Sequence, residues 1–365
     1  MKSKMNISEF QEAFTQRLPQ YEKLKTAAYG IITQSLADSN IKAMPLAYRI
    51  KCKDSATEKQ KKKNYENPFR EMTDILGFRI VVFLDSEVAL VEKQLRECFH
   101  VDSLNSIDKR QAAHVREVGY RSLHLIANLG SDRGTLPEYS GLVDIPFEIQ
   151  VRTALEHTWA EIEHRQNYKS SFDLPTPLQR RLMVLSGTLE LVDRELSNIV
   201  ADADEYARRV AEDRQETHDD LISVTSLRAV AESFAEDSGR PLRVNKAGVD
   251  FGELIEELSA FGVTTVSEIR DLLDRHSKNI AKGSIDESFT VFGICRLAMI
   301  LEDHKKYFEE ASKNDYIMYK EDAEKIAKIL EYDDFIQYLS DDIGLDVVER
   351  DNLTSHFEDD ARGGD

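Results

Sequence analysis

Four stretches between residues 49 and 169 carry side chains whose types and spacing could do chemistry. In "RIKCKDSATEKQKKK", Arg49 and Lys51 stand two apart and are followed by Ser55, Lys59 and Lys62, the last pair sharing a helix face. Such an array could grip a triphosphate. In "REMTDILGFRIVVF" a lone carboxylate, Asp74, precedes an apolar strand that contains Arg79. A strand-edge aspartate is ordinarily a turn or capping residue, yet Mg²⁺ is commonly held by one or two carboxylates plus substrate phosphates, so one Asp facing a basic patch is sufficient equipment. In "VGYRSLHLIANL" the alternation of a strand puts Tyr120, Ser122 and His124 on one face and Arg121, Leu123 and Leu125 on the other. An apolar sheet face would be filled by Val, Ile or Leu, so this face is either wet or holds a ligand. In "PFEIQVRT" Glu148, Gln150 and Arg152 share one face, as they also would on an amphipathic edge strand. The helix that follows, "ALEHTWAEIEHRQNYK", spaces His157, Glu161 and His164 four and three apart. Zinc would need another ligand, and no cysteine or third histidine is near, so a packed, hydrogen-bonded face beside Trp159 is expected.

The elements that must position these residues follow from periodicity. "GFRIVVFL" and "PFEIQVRT" read as strands, and "SEVALVEKQLRECF" between them reads as a helix capped at Ser86. That order implies an α+β fold, a mixed β-sheet flanked by helices. Upstream, Phe10, Phe14, Leu18, Tyr21 and Leu24 mark an amphipathic helix within residues 1 to 38, with an interruption expected at Pro19. Prolines and serines in "SSFDLPTPLQ" punctuate the chain, and from Leu178 onward the sequence reads as almost wholly α-helical, beginning with one long exposed helix. Thr265 and Glu268 form a capping-box pattern, and "FTVFGICRLAMILEDHKKYFEE" supplies a further helix. The expected organisation is one domain over 1–172, a helical region over 178–350 and an acidic tail over 351–365.

Length and charge narrow the classes. A chain of 365 residues, 41% of them hydrophobic, suffices for about two domains. No stretch approaches the run of about 20 apolar residues that spans a bilayer, and the N-terminus lacks the apolar core of a signal peptide. The three cysteines, Cys52, Cys98 and Cys295, are widely spaced and suggest neither a disulfide framework nor a zinc site, so a reducing, cytoplasmic setting is expected. The formal net charge of −19 disfavours general adhesion to nucleic acid. Against that background, residues 41 to 63 hold eight basic side chains and two acidic ones, where an anion could be held.

In order and spacing, "RIK…S…K", "TDILGFRIV", "GYRSLH" and "EIQVRT…W…EH…YK" resemble the synthetase domain of the RelA/SpoT family, especially its small, single-function alarmone synthetases. The resemblance covers roughly residues 20 to 170. It implies a nucleotidyltransferase-like sheet that moves the β,γ-pyrophosphoryl group of ATP onto the ribose 3′-hydroxyl of GDP or GTP. It further implies that Arg49 and Arg79 sandwich the adenine, that Lys51, Ser55, Lys59 and Lys62 bind the ATP phosphates, and that Asp74 holds Mg²⁺. Glu148 would be the second acid, taking the 3′-hydroxyl proton and also touching the metal. Tyr120 would stack on the acceptor base, with His124, Gln150 and His157 in the same pocket and Arg116 or Lys109 meeting the acceptor phosphates. Arg116 stands where the family commonly has lysine and Val118 where it commonly has a small polar residue. Some toxic relatives pyrophosphorylate the tRNA 3′-CCA end or use adenine nucleotides, so the acceptor stays open among GDP, GTP, adenine nucleotides and tRNA. A pure nucleotide sensor would need neither Asp74 nor Glu148. His218 and Asp219 form an isolated pair, and the motifs begin close to the N-terminus, so alarmone hydrolysis is not expected. The helical region is expected to be regulatory, or to assemble copies of the chain or bind a protein partner, away from any membrane.

Overall fold

The computed structural model describes residues 5–39, 41–110, 122–168, 175–212, 219–243, 250–283, 290–312 and 318–349. Arg116, Tyr120 and the acidic tail lie outside them. The chain forms two compact units, Met1–Val200 and Ala201–Asp365.

The first unit opens with helix α1 (Ile7–Asp38), capped by Asn6, whose side chain accepts from the Glu9 N–H while Glu9 accepts from the Asn6 N–H. The interruption expected at Pro19 does not occur, since α1 runs through it. Proline there removes one hydrogen bond to the Thr15 carbonyl, and Pro19 is on the exposed side, where water can take that bond. The buried stripe of Phe10, Phe14, Tyr21, Leu24, Ala28 and Ile32 outweighs the loss. After strand β1 (Ala47–Ile50) come α2 (Lys53–Lys63), α3 (Pro68–Glu71), β2 (Leu76–Val82), α4 (Asp85–Cys98), β3 (His100–Val101), β4 (Ile107–Asp108), β5 (Leu123–Asn128), β6 (Phe147–Thr153) and α5 (Ala154–Tyr168). Helix α4 begins one residue before Ser86, because Glu87 turns back to accept the N–H groups of Phe83 and Leu84 and so performs the capping expected of the serine.

The strands form one mixed sheet in the order β1-β2-β6-β5-β3, with β4 also on β5. Among the described residues of this sheet, β2 and β6 are the parallel pair, with Gly77 opposite Glu148 and Arg79 opposite Gln150. Alternation then sorts the side chains. Phe78, Ile80, Phe147, Ile149, Val151, Leu123 and Leu125 are buried in one core with the inward residues of α1 and with Val88, Val91 and Leu95 of α4. The polar residues of the same strands occupy the opposite face, towards α5.

Helix α6 (Thr176–Glu212) follows the Pro-rich stretch and belongs to both units. Its first part is tied to the first unit by the Trp159 indole donating to the Leu182 carbonyl and by Thr153 Oγ1 donating to Asp193 at 2.6 Å. The second unit is mostly helical: α7 (Val224–Asp237), α8 (Phe251–Phe261), α9 (Val266–Gly283), α10 (Val291–Lys306), strand β7 (Met318–Tyr319), α11 (Lys320–Leu330) and strand β8 (Val347–Val348), which pairs in parallel with β7. Its core is separate, built around Leu254, Leu258, Ile269, Leu272, Cys295 and Met299. The capping box at α9 is present: Glu268 accepts the Thr265 N–H at 3.0 Å, and Thr265 Oγ1 accepts the Glu268 N–H. Glu257, 1% exposed, is neutralised by a two-pronged pair from Arg296. Among the described residues, no helix is long and apolar enough to cross a membrane.

Candidate active site

The polar face of the sheet floors a cleft of about 670 Å³, whose lining includes Arg49 from β1, Asp74 ahead of β2, Gly77 and Arg79 from β2, Glu148, Gln150 and Arg152 from β6, and Glu161 from α5. The sheet register explains the gathering. Arg49 lies opposite Gly77, and Gly77 lies opposite Glu148, so three adjacent strands present these positions in one row. Gly77 supplies no side chain at the centre of that row, and the floor between the Arg49 and Glu148 positions is left bare.

Asp74 is held by two cations. Its Oδ2 accepts from Lys51 Nζ at 2.9 Å and from Lys59 Nζ at 2.8 Å, which places β1's end and α2 against the start of β2. Burial opposes the charge of Asp74, but the hydrogen bonds from Lys59 and Lys51 outweigh it and keep the carboxyl below the usual carboxylate range. Its Oδ1 is buried and accepts no hydrogen bond from the described residues.

Glu148 is the end point of a hydrogen-bonded chain along β6. Arg152 Nη2 donates to Gln150 Oε1 at 2.6 Å, and Gln150 Nε2 donates to Glu148 Oε2 at 2.9 Å. From β5, His124 Nδ1 meets Glu148 Oε1 at 2.7 Å, and His124 Nε2 is 2.6 Å from Ser122 Oγ. Ser122 and His124 therefore do share a face, turned towards a carboxylate. Burial works to raise the Glu148 pKa, while the hydrogen bond and charge of His124 and the bond from Gln150 bring it below the usual value; Asp74 repels it weakly. Both acids are thus carboxylates at neutral pH, directed at one cleft.

Those two carboxylates fit an oxygen-seeking divalent cation. The buried, unsatisfied Asp74 Oδ1 is the atom such an ion would complete, and Mg²⁺ uses one or two carboxylates with substrate phosphates. Among the described residues, no group of three or more His, Cys, Asp or Glu is arranged to hold a metal.

At the α5 wall, Arg79 Nη1 donates to Glu161 Oε1 at 2.8 Å, and His157 Nδ1 stands 3.9 Å from the same oxygen. Burial first, then the charges of Arg79 and Arg152, push the His157 pKa down, so the ring is neutral at pH 7. His164 is exposed and also lines the cleft. The expected packed face beside Trp159 is therefore divided: Trp159 is buried, while Glu161 and His164 border the cleft.

The cleft thus brings together Arg49, Asp74, Arg79, Glu148 and Gln150, with Lys51 and Lys59 joined through Asp74, His124 through Glu148 and His157 beside Glu161. Ser55, exposed in the first turn of α2, receives a hydrogen bond from Cys52 Sγ, and neither it nor the exposed Lys62 lines the cleft. Lys109, also exposed, follows β4, its N–H donating to the Ser122 carbonyl. Sequence reasoning passed over Gly77 and the support given by Arg152 and Ser122. A glycine inside the apolar strand "LGFRIVV" was the available signal for the first, and the shared face of Glu148, Gln150 and Arg152 for the second.

Residues 48–173 match the family described as "Region found in RelA / SpoT proteins". Over 187 residues the chain is 31% identical to GTP pyrophosphokinase YjbM of Bacillus subtilis, covering 50% of this chain and 85% of that relative. GTP pyrophosphokinase YwaC of the same organism is 29% identical over 160 residues, 43% of this chain and 73% of that relative. The crystal structure of small alarmone synthetase 1 from Bacillus subtilis bound to its product pppGpp is 30% identical, with a TM-score of 0.43 over 52% of this chain and 98% of that one. On the family match and the identity that runs through most of YjbM, the chain belongs to the RelA/SpoT family.

Proposed function

We propose that the protein transfers the β,γ-pyrophosphoryl group of ATP to the 3′-hydroxyl of GDP or GTP, releasing AMP. The observation that carries this reading is the convergence of Asp74 and Glu148 on a cleft bordered by Arg49 and Arg79. In the reaction the 3′-oxygen bonds to the β-phosphorus, the bond from that phosphorus to the α,β-bridging oxygen breaks, and the hydroxyl proton leaves. Glu148 takes that proton, and Gln150 and His124 hold its carboxylate in one orientation for the purpose. Asp74 and Glu148 would hold Mg²⁺, which when bound neutralises phosphate charge. Lys51 and Lys59, fixed beside Asp74, bind the donor phosphates. Arg49 and Arg79 offer planar guanidinium groups to the donor base. Transfer of this kind asks mainly for alignment and charge neutralisation, which this array supplies.

For the acceptor, the family resemblance assigns Tyr120 to stacking on the guanine and Arg116, or Lys109, to the acceptor phosphates. Loss of a stacking ring costs about 1–3 kcal/mol of binding, so Tyr120→Ala raises the acceptor KM with little change in kcat. The reading is tested by incubating the protein with Mg²⁺, ATP labelled in the γ-phosphate and GDP, GTP, ATP or deacylated tRNA in turn. Label passing to GDP or GTP supports it; label passing only to tRNA or to an adenine nucleotide replaces the acceptor.

A further inference from the structure

Lys51 and Lys59 stand beside Asp74, and on the α5 side Glu161 and Glu163 share the cleft lining with Arg79 and Arg152. A nucleoside triphosphate carries all its charge at one end. On the reading above it lies with its phosphates towards Lys51 and Lys59 and its base at the Arg79 guanidinium, which α5 holds through Glu161.

At the base end the polar pair is Arg79 and Glu161. Glu161 Oε1 accepts Arg79 Nη1 at 2.8 Å, which secures the guanidinium by an edge and leaves its flat face for stacking. An ionised carboxylate accepts at both oxygens, so Oε2 can take one more donor. Adenine offers such a donor in its 6-amino group. A 6-oxopurine offers an acceptor there, which a carboxylate repels. Guanine or hypoxanthine could still donate through N1–H, but only by sliding the base within the stack, out of the pose that the guanidinium faces and the phosphate contacts set for the 6-position. Resting on the pyrophosphotransfer reading above, we propose that Glu161 selects the donor base, admitting a 6-aminopurine and disfavouring a 6-oxopurine.

The test uses the full chain with Mg²⁺, GDP as acceptor and either ATP or ITP as donor, since the two differ only at the purine 6-position and N1. The wild type is expected to prefer ATP by about tenfold in kcat/KM, carried by the donor KM; the 41% exposed Glu161 side chain limits the effect. Glu161→Gln should bring the ratio close to one, because the amide can turn its NH₂ towards a keto oxygen. Glu161→Ala should also collapse the ratio, and the exposed helical position accepts alanine without loss of fold. An ATP:ITP ratio unchanged in both variants, even with slower turnover, overturns the inference while leaving pyrophosphotransfer intact. No transfer by the wild type from either donor removes the parent reading and this one with it.

Discussion

Glu148 is kept ionised by partners on two strands. His124 reaches it from β5, and Gln150 reaches it from two residues along β6. Glu148→Gln removes the proposed proton acceptor and should lower kcat by about 10²–10⁴-fold, with donor binding by calorimetry little changed. The hydrogen bonds that lower the Glu148 pKa also set the acid limb of the pH profile. In the wild type, activity tied to Glu148 is lost only as pH falls below the ordinary glutamate value of about 4.3. His124→Ala removes the largest stabilising partner, so the acid limb of kcat/KM should move to higher pH. Asp74 has the same sign: its folded pKa is depressed, so the stability it contributes is present above the unfolded value and is lost as pH falls through the folded one.

At the scale of elements, the junction of β6 and α5 fixes the site. Thr153 ends the catalytic strand and caps the helix, accepting the Glu156 N–H while Glu156 accepts the Thr153 N–H. The same hydroxyl donates to Asp193 of α6, 3% exposed. Thr153→Val should destabilise the first unit by about 2–3 kcal/mol through loss of a cap and of a buried bond to a carboxylate, read as a lower denaturant midpoint. This junction shows what the sequence made legible. Strands β2, β5 and β6, helices α1, α4 and α5 and the row Glu148, Gln150, Arg152 follow from alternation and periodicity, because those signals are local. The three-residue spacing of Thr153 and Glu156 went unread as a cap, and nothing near them names Asp193, forty residues on. Likewise His157, Glu161 and His164 could be placed on a helix, whereas the pairing of Glu161 with Arg79 depends on a strand 82 residues earlier. Pro19 was misread because the apolar stripe around it outweighs one lost backbone bond.

At the scale of the molecule, each unit has its own core, one around the sheet and one among the later helices. Calorimetry should therefore resolve two unfolding transitions. A non-transferable ATP analogue with Mg²⁺ should raise only the transition of the first unit, by about 2.7 kcal/mol at a hundredfold excess over its Kd. We propose a regulatory or assembly role for the helical region, and removal of residues 201–365, which leaves the first unit its part of α6, with no change in activity or oligomeric state would withdraw it.

The central claim is that Asp74 and Glu148 align ATP for attack at its β-phosphorus by a guanosine 3′-hydroxyl. The most direct measurement is ³¹P NMR of the full chain turning over ATP and GDP with Mg²⁺. The account predicts AMP and a guanosine nucleotide bearing a new 3′-diphosphate in equal amounts, both formed about 10²–10⁴-fold more slowly by Glu148→Gln. Release of ADP and inorganic phosphate instead, or undiminished turnover by that variant, would contradict it.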